Sequence, residues 1–89
     1  MGPVVPFEVI DLASVAEFTD WLAVCGTGDD AEVVLDFAAV QMVLAVGVQA
    51  LLDLERELLR SGRALTIVHA APIVRRVFEI CEVADRWLA

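Results

Sequence analysis

The chain has 89 residues, enough for one domain and too few for a second core. Sixty per cent apolar residues against 22 % charged exclude a disordered chain, since disorder requires too little apolar surface to offset the entropy of ordering. Fourteen acids against six basic residues give a net charge of −8, which repels phosphate backbones and anionic membranes and argues against nucleic-acid binding.

The first predicted element is a short strand over Val4–Ile10, a stretch rich in β-branched residues. Pro6 has no N–H for a ladder, which confines the strand to a sheet edge or shortens it to Phe7–Ile10. Ser14-Val15-Ala16-Glu17 has the Ser-x-x-Glu form of a capping box. The helix it opens would bury Val15, Phe18, Leu22 and Cys25 at helical spacing and stop at Gly26. Gly26-Thr27-Gly28-Asp29-Asp30 reads as a turn-rich loop; it lacks the lysine of a phosphate loop and the alternating oxygens of a calcium loop.

Val33-Val34-Leu35-Asp36-Phe37 is nearly continuous in apolar residues, the pattern of a strand buried on both faces. A second helix is predicted to begin between Ala45 and Gly47 and run to Arg60. Its broad apolar face is Val48, Leu51, Leu52, Leu54, Leu58 and Leu59, its wet side Asp53-Leu54-Glu55-Arg56-Glu57, and Gly62 follows as a C-terminal cap. Leu65–Val68 reads as a further strand. Pro72 suits the first turn of a third helix, where its missing N–H costs nothing, and that helix would bury Val74, Val77, Phe78 and Cys81 with Arg75 and Arg76 in solvent. Strand and helix alternate three times, which requires crossover connections and an α/β fold: a mostly parallel sheet of three to four strands covered by three to four helices, in a single domain over residues 1–89.

Between Asp36 and Asp53 lie sixteen uncharged residues. A spanning helix needs roughly 20 apolar residues, and this stretch contains Gln41, Gln49 and Gly47, so a buried strand end followed by a buried helix is expected and no membrane insertion. Met1–Ile10 has neither the basic start nor the apolar run of a signal peptide, and Pro3 and Pro6 do not suit myristoylation at Gly2. Cys25 and Cys81 are expected as buried free thiols, consistent with a reducing cytoplasm. Residues 1–55 carry ten acids and no base, whereas residues 56–89 carry six arginines and four acids. Acidic helix starts with a basic helix face explain this, as would an acidic face that selects a basic partner. No nucleophile–base pair or metal set is visible. His69, the one histidine, reads as an ordinary partly buried residue, and catalytic residues, cofactors and metals are all expected to be absent.

From Glu8 onward several stretches, in order, resemble the STAS family, the domain shared by sulfate transporters and anti-sigma-factor antagonists. Ile10-Asp11-Leu12-Ala13-Ser14 resembles its "LDLAT", Val33–Phe37 its "VVLDL", and Arg60–Val68 its "RxGGRLxLV". Ala71–Ile80 resembles "SPxVRRVLEL", and Val83-Ala84-Asp85-Arg86 the "LADR" ending. The family's signature "V-x-F-M-D-S-[ST]-G-L-G" aligns with Val40–Gln49. There Leu44 replaces the Asp, Ala45 the phosphorylatable Ser and Val46 the second hydroxyl residue, while Gly47 keeps the glycine. Ala45 is thus a degenerate phosphosite, permanently neutral where the family alternates by about two charges. The resemblance also implies a strand before Val4–Ile10, absent here, which would leave that strand as an edge able to form a homodimer.

What the resemblance implies is a protein-binding module. Its docking surface would be the start of the second helix and the loop before it: Met42, Val43, Leu44, Ala45, Val46, Gly47 and Val48, with Asp36 as a structural or partner-contacting acid. Up to four N–H groups at that helix start would lack acceptors. The implied partner is an anti-sigma factor with a kinase-like ATPase fold, or alternatively the ATPase of a lipid-transporting ABC complex or a regulatory scaffold.

Overall fold

The computed structural model describes residues 2–89. In chain order the elements are β1 (Val9–Ile10), α1 (Val15–Cys25), β2 (Glu32–Asp36), β3 (Met42–Val43), α2 (Ala45–Arg60), β4 (Ala64–Val68), α3 (Pro72–Ile80) and α4 (Ala84–Trp87). β2 and β4 run parallel in register from Glu32 opposite Ala64 to Asp36 opposite Val68. β1 and β3 form a second parallel pair, Val9 opposite Met42 and Ile10 opposite Val43. The α/β class and parallel pairing agree with the sequence; the division into two small pairs was not anticipated.

That division originates at Pro6. Instead of one strand over Val4–Ile10, the chain makes a parallel bridge from Val4 to Asp36, leaves it, and pairs again only at Val9–Ile10. The bridge is held by Asp36 N–H on the Pro3 carbonyl and Val5 N–H on the Asp36 carbonyl, each at 2.9 Å. A residue with no N–H in mid-strand ends the ladder, so the two ends of the segment serve different strands. The outer side of Val4, flanked by Pro3 and Pro6, has correspondingly few donors for pairing with a second chain.

Helix α1 begins at Ser14, as expected, but the capping box does not close. Ser14 already has helical torsions (φ −109°, ψ −9°), and its hydroxyl turns back, accepting from Asp11 N–H at 3.0 Å and donating to the Val9 carbonyl at 2.9 Å. Asp11 takes over the capping role one turn earlier, its Oδ1 accepting from Ala13 and Ser14 N–H. Phe18 and Leu22 face the core, while Val15 and Cys25 are only half-buried. Burial pushes the Cys25 thiol up, which favours its protonated form.

Helix α2 supplies Gly47, Val48, Ala50, Leu51, Leu54 and Leu58 to the interior. Leu59 is 61 % exposed, so the apolar face is narrower than predicted: a residue next to Leu58 lies about 100° further round the helix. Ser61 caps the end and Gly62 follows at φ +71°, the left-handed turn that glycine accepts without strain. Cys81, also predicted as buried, lies just past the end of α3 and is exposed. The core gathers Phe18, Leu35, Phe37, Leu51, Ile67, Phe78 and Trp87, each shielded from solvent.

Two long-range clamps complete the domain. Arg63 donates from Nε to the Asp30 carbonyl at 2.6 Å and from Nη1 to the Gly26 carbonyl at 2.8 Å, fixing the loop before β2. At the C-terminal end, Glu55 of α2 accepts two bonds from Arg86 (2.6 and 3.1 Å) and one from Trp87 Nε1 at 2.8 Å. Trp87 is buried and meets Phe78 edge-on at 5.4 Å. The Arg86 bonds lower the Glu55 carboxyl from its ordinary value despite burial, with a smaller contribution from Trp87, and Glu55 in turn raises Arg86.

Two outcomes follow for stability. Glu55→Ala leaves the buried indole N–H without its acceptor, a loss of about 1–3 kcal/mol that corresponds to roughly 4–8 °C of Tm per kcal/mol in a domain of this size. Glu55→Gln, which retains an acceptor oxygen, is expected to melt between this variant and the parent in a calorimetric scan. Gly47→Ala would set a Cβ 2.6 Å from Ile10 Cγ2 and 2.7 Å from Val43 Cγ2, both on stiff β-branched side chains. Overpacking of about 1–3 kcal/mol outweighs the helix-propensity gain of about 1 kcal/mol, so this variant should unfold at lower denaturant.

Candidate functional site

All described strand pairings are parallel, so the loops that follow β1, β2 and β4 emerge at one end of the domain. In open α/β sheets that end is where ligands and partners are met. Here it holds the segments 11–14, 37–41 and 69–71 and the starts of α2 and α3. Between Phe37 and Leu52, and between Ala64 and Val74, the sequence has no Asp, Glu, Lys or Arg. Apart from Asp11, these segments of a chain of net charge −8 carry no Asp, Glu, Lys or Arg, and Leu12, Leu44 and Ile73 stand on them 79 %, 45 % and 51 % exposed.

The start of α2 is built by the β1–β3 pair. Gln41 and Met42 N–H both reach the Glu8 carbonyl, and Leu44 N–H bonds the Ile10 carbonyl at 2.9 Å. Leu44 is then the N-cap, extended at φ −92°, ψ 171°, and its side chain makes no capping bond; no acid lies in the first turn. Gly47 and Val48 N–H both bond the Leu44 carbonyl, at 2.9 and 3.2 Å. The open donors are therefore those of Ala45 and Val46, two where the sequence suggested as many as four. They present the positive end of a helix dipole, about half an elementary charge.

The seven residues expected to form the docking surface do not all face one way. Leu44 and Ala45 are exposed and Met42 and Val46 half-buried, whereas Val43, Gly47 and Val48 face the interior. The alternation follows from geometry: β3 turns Val43 inward as it pairs with β1, and α2 turns Gly47 and Val48 inward onto Ile10 and the core. Of the seven, Met42, Leu44, Ala45 and Val46 are reached by solvent, and Leu12 and Ile73, which sequence reasoning did not single out, are exposed as well.

Asp36, expected as a structural or partner-contacting acid, closes β2. Its residue is 6 % exposed, and its Oδ1 accepts from Ala38 N–H at 2.9 Å and pairs with His69 Nδ1 at 3.2 Å. Its carboxylate holds the start of the loop that leads to β3 and α2. The Ala38 N–H foremost, with the His69 imidazole after it, keeps the carboxyl below the ordinary aspartate range although burial acts the other way. His69 is exposed, not partly buried as the sequence suggested, and has φ +60°, a left-handed backbone rare outside glycine. The only sequence signal for this pairing was that both residues end strands.

Because the Asp36 pKa is lowered on folding, its stabilising contribution is complete above about pH 4, the ordinary aspartate value, and is lost as pH falls through the lowered folded-state value. Asp36→Asn removes that titration while leaving an acceptor oxygen for Ala38. Urea unfolding between pH 3 and 7 should show the variant's stability varying less with pH in the acid limb than the parent's.

Among the described residues no group of three or more His, Cys, Asp or Glu is placed to hold a metal ion, and no helix is long and apolar enough to cross a membrane. No curated protein matches the chain. A family model described as "Mlab, STAS domain" matches residues 8–88, nearly the whole length and beginning where the sequence resemblance begins. On that match, the chain belongs to the STAS domain family.

Proposed function

We propose that this STAS domain is a non-enzymatic, cytoplasmic protein-interaction module that acts as an unswitched relative of the anti-sigma-factor antagonists. STAS domains commonly serve in protein–protein contact and regulation, and a role at that level accords with the family. The observation that carries the finer reading is the start of α2: an exposed, uncharged apolar helix N-terminus with two open N–H groups and no hydroxyl from Met42 to Val48. Leu44 and Val46 supply apolar anchors, and a carbonyl or carboxylate of an anti-sigma factor with a kinase-like ATPase fold satisfies Ala45 and Val46 N–H.

A second reading is favoured by one feature, the absence of any phosphorylatable oxygen. A constitutive subunit on the ATPase of an ABC-type lipid transporter, or in a regulatory scaffold, has no need of a switch. The two readings separate on affinity capture from the source cell. A soluble kinase-fold protein supports the first and co-purifying membrane ATPase components support the second.

Two outcomes test the site itself. Incubation with a kinase-fold partner and ATP should leave the intact mass unchanged, and a phosphopeptide within residues 42–48 would contradict the assignment of Ala45 as the degenerate phosphosite. The pair Leu44→Asp with Ala45→Ser restores side-chain acceptors at the N-cap, worth about 0.5–2 kcal/mol. It also places an anion where the partner's oxygen would sit. The double variant is expected to melt higher than the parent and to bind the captured partner more weakly; undiminished binding would move the interface elsewhere.

A further inference from the structure

Of the four described helices, α3 alone carries more arginine than acid, Arg75 and Arg76 against Glu79, and α1 alone carries acids with no base, Glu17 and Asp20. The two helices also share a spacing. In α3 the positions i, i+3, i+4 and i+7 are Ile73, Arg76, Val77 and Ile80; in α1 they are Glu17, Asp20, Trp21 and Val24. At 3.6 residues per turn each set occupies one flank of its helix, about 100° wide. On α3 that flank is exposed at Ile73 (51 %), Ile80 (68 %) and Arg76, with Val77 half-buried. On α1 it is exposed at Glu17, Asp20 and Val24 (72 %), with Trp21 half-buried and stacked on Phe18 at 6.5 Å.

Neither flank is used within its own chain. The buried sides are Phe18 and Leu22 on α1, which packs against α2, and Val74 and Phe78 on α3, which packs against α4 and β3. Glu17 and Asp20 form no ion pair among the described residues. Arg76 holds Glu79 at 3.4 Å, with both side chains more than half exposed. A surface pair of that kind contributes little and exchanges easily.

We propose that the α3 flank is the docking surface for the α1 flank of a second copy of this chain. Ile73, Val77 and Ile80 cover Trp21 and Val24 of the other copy, and the Arg76 guanidinium turns from Glu79 to the other copy's Asp20 and Glu17. Rows three and four residues apart pack as ridges into grooves, and because two different faces meet, the contact is head-to-tail. One helix pair covers less than the roughly 1,200–2,000 Å² of a stable interface, so the association is weak. The net charge of −8 on each copy opposes it at long range. At physiological ionic strength the screening length is about 8 Å, which damps that repulsion and leaves groups in contact paired. The contact does not depend on which partner the start of α2 binds.

Sedimentation equilibrium of the full chain at about 0.15 M salt, at concentrations up to about 1 mM, should show a mass that rises with concentration. Arg76→Asp and Asp20→Arg, both at exposed positions, should melt as the parent does and each weaken self-association about ten-fold or more. Asp20→Arg leaves α3 untouched, so its effect separates this contact from one of α3 with itself. Ile80→Asn should weaken association through the apolar part alone. Mixing Arg76→Asp with Asp20→Arg should restore it, since the first keeps the parent α1 flank and the second the parent α3 flank. A parent that stays monomeric throughout assigns the flanks to a different partner and overturns the proposal. Charge variants that associate like the parent, or a mixture no tighter than its components, overturn it equally.

Discussion

At Gly47 the backbone of α2 comes so close to Ile10 and Val43 that a methyl group would lie inside van der Waals contact with both. This approach seats the long helix directly on the β1–β3 pair. It fixes Leu44 as the N-cap through the Ile10 carbonyl, and the two N–H groups of the first turn consequently face outward. The same seating sends Leu51, Leu54 and Leu58 down the helix into the core and places Glu55 beside the C-terminal segment. The work of Gly47 is therefore steric: no side chain fits between α2 and the β1–β3 pair at this point.

The parts of the fold that were legible in the sequence are those governed by local periodicity. The helical spacing from Ala45 to Arg60, the proline at the head of α3 and the apolar run at β2 each depend on residues close in the chain, and their boundaries came within a residue or two. What was not legible depended on partners far away. β3 has only two residues and exists because β1 lies beside it. The Ser14 hydroxyl had two ways to satisfy itself, and the Val9 carbonyl and Asp11 N–H won over the forward cap. Leu59 and Cys81 satisfied an apolar pattern by residue type but fall where no second layer covers them.

The site shows the same contrast. Ala45, Val46 and the missing hydroxyls could be read residue by residue against the family pattern, and the chemistry they forbid needs no coordinates. Which of the seven residues face outward could not be read, because a strand of period two passes into a helix of period 3.6 within the segment. Asp36 was noticed for its place at a strand end, yet its bond to His69 crosses 33 positions of sequence and required the β2–β4 register to bring the two together.

Pairing β2 with β4 has a bearing on how the chain acquires its structure. As it emerges from a ribosome, β2 must wait for α2 and β4 before its N–H and carbonyl groups on that side find partners. The loop before it must likewise wait for Arg63. Closure comes later still, when Trp87 arrives to cover Phe78. Such delayed, long-range contacts lengthen the time that Phe37, Ile67 and Phe78 are open to other chains. For so acidic a polypeptide, mutual charge repulsion is the protection available during that interval.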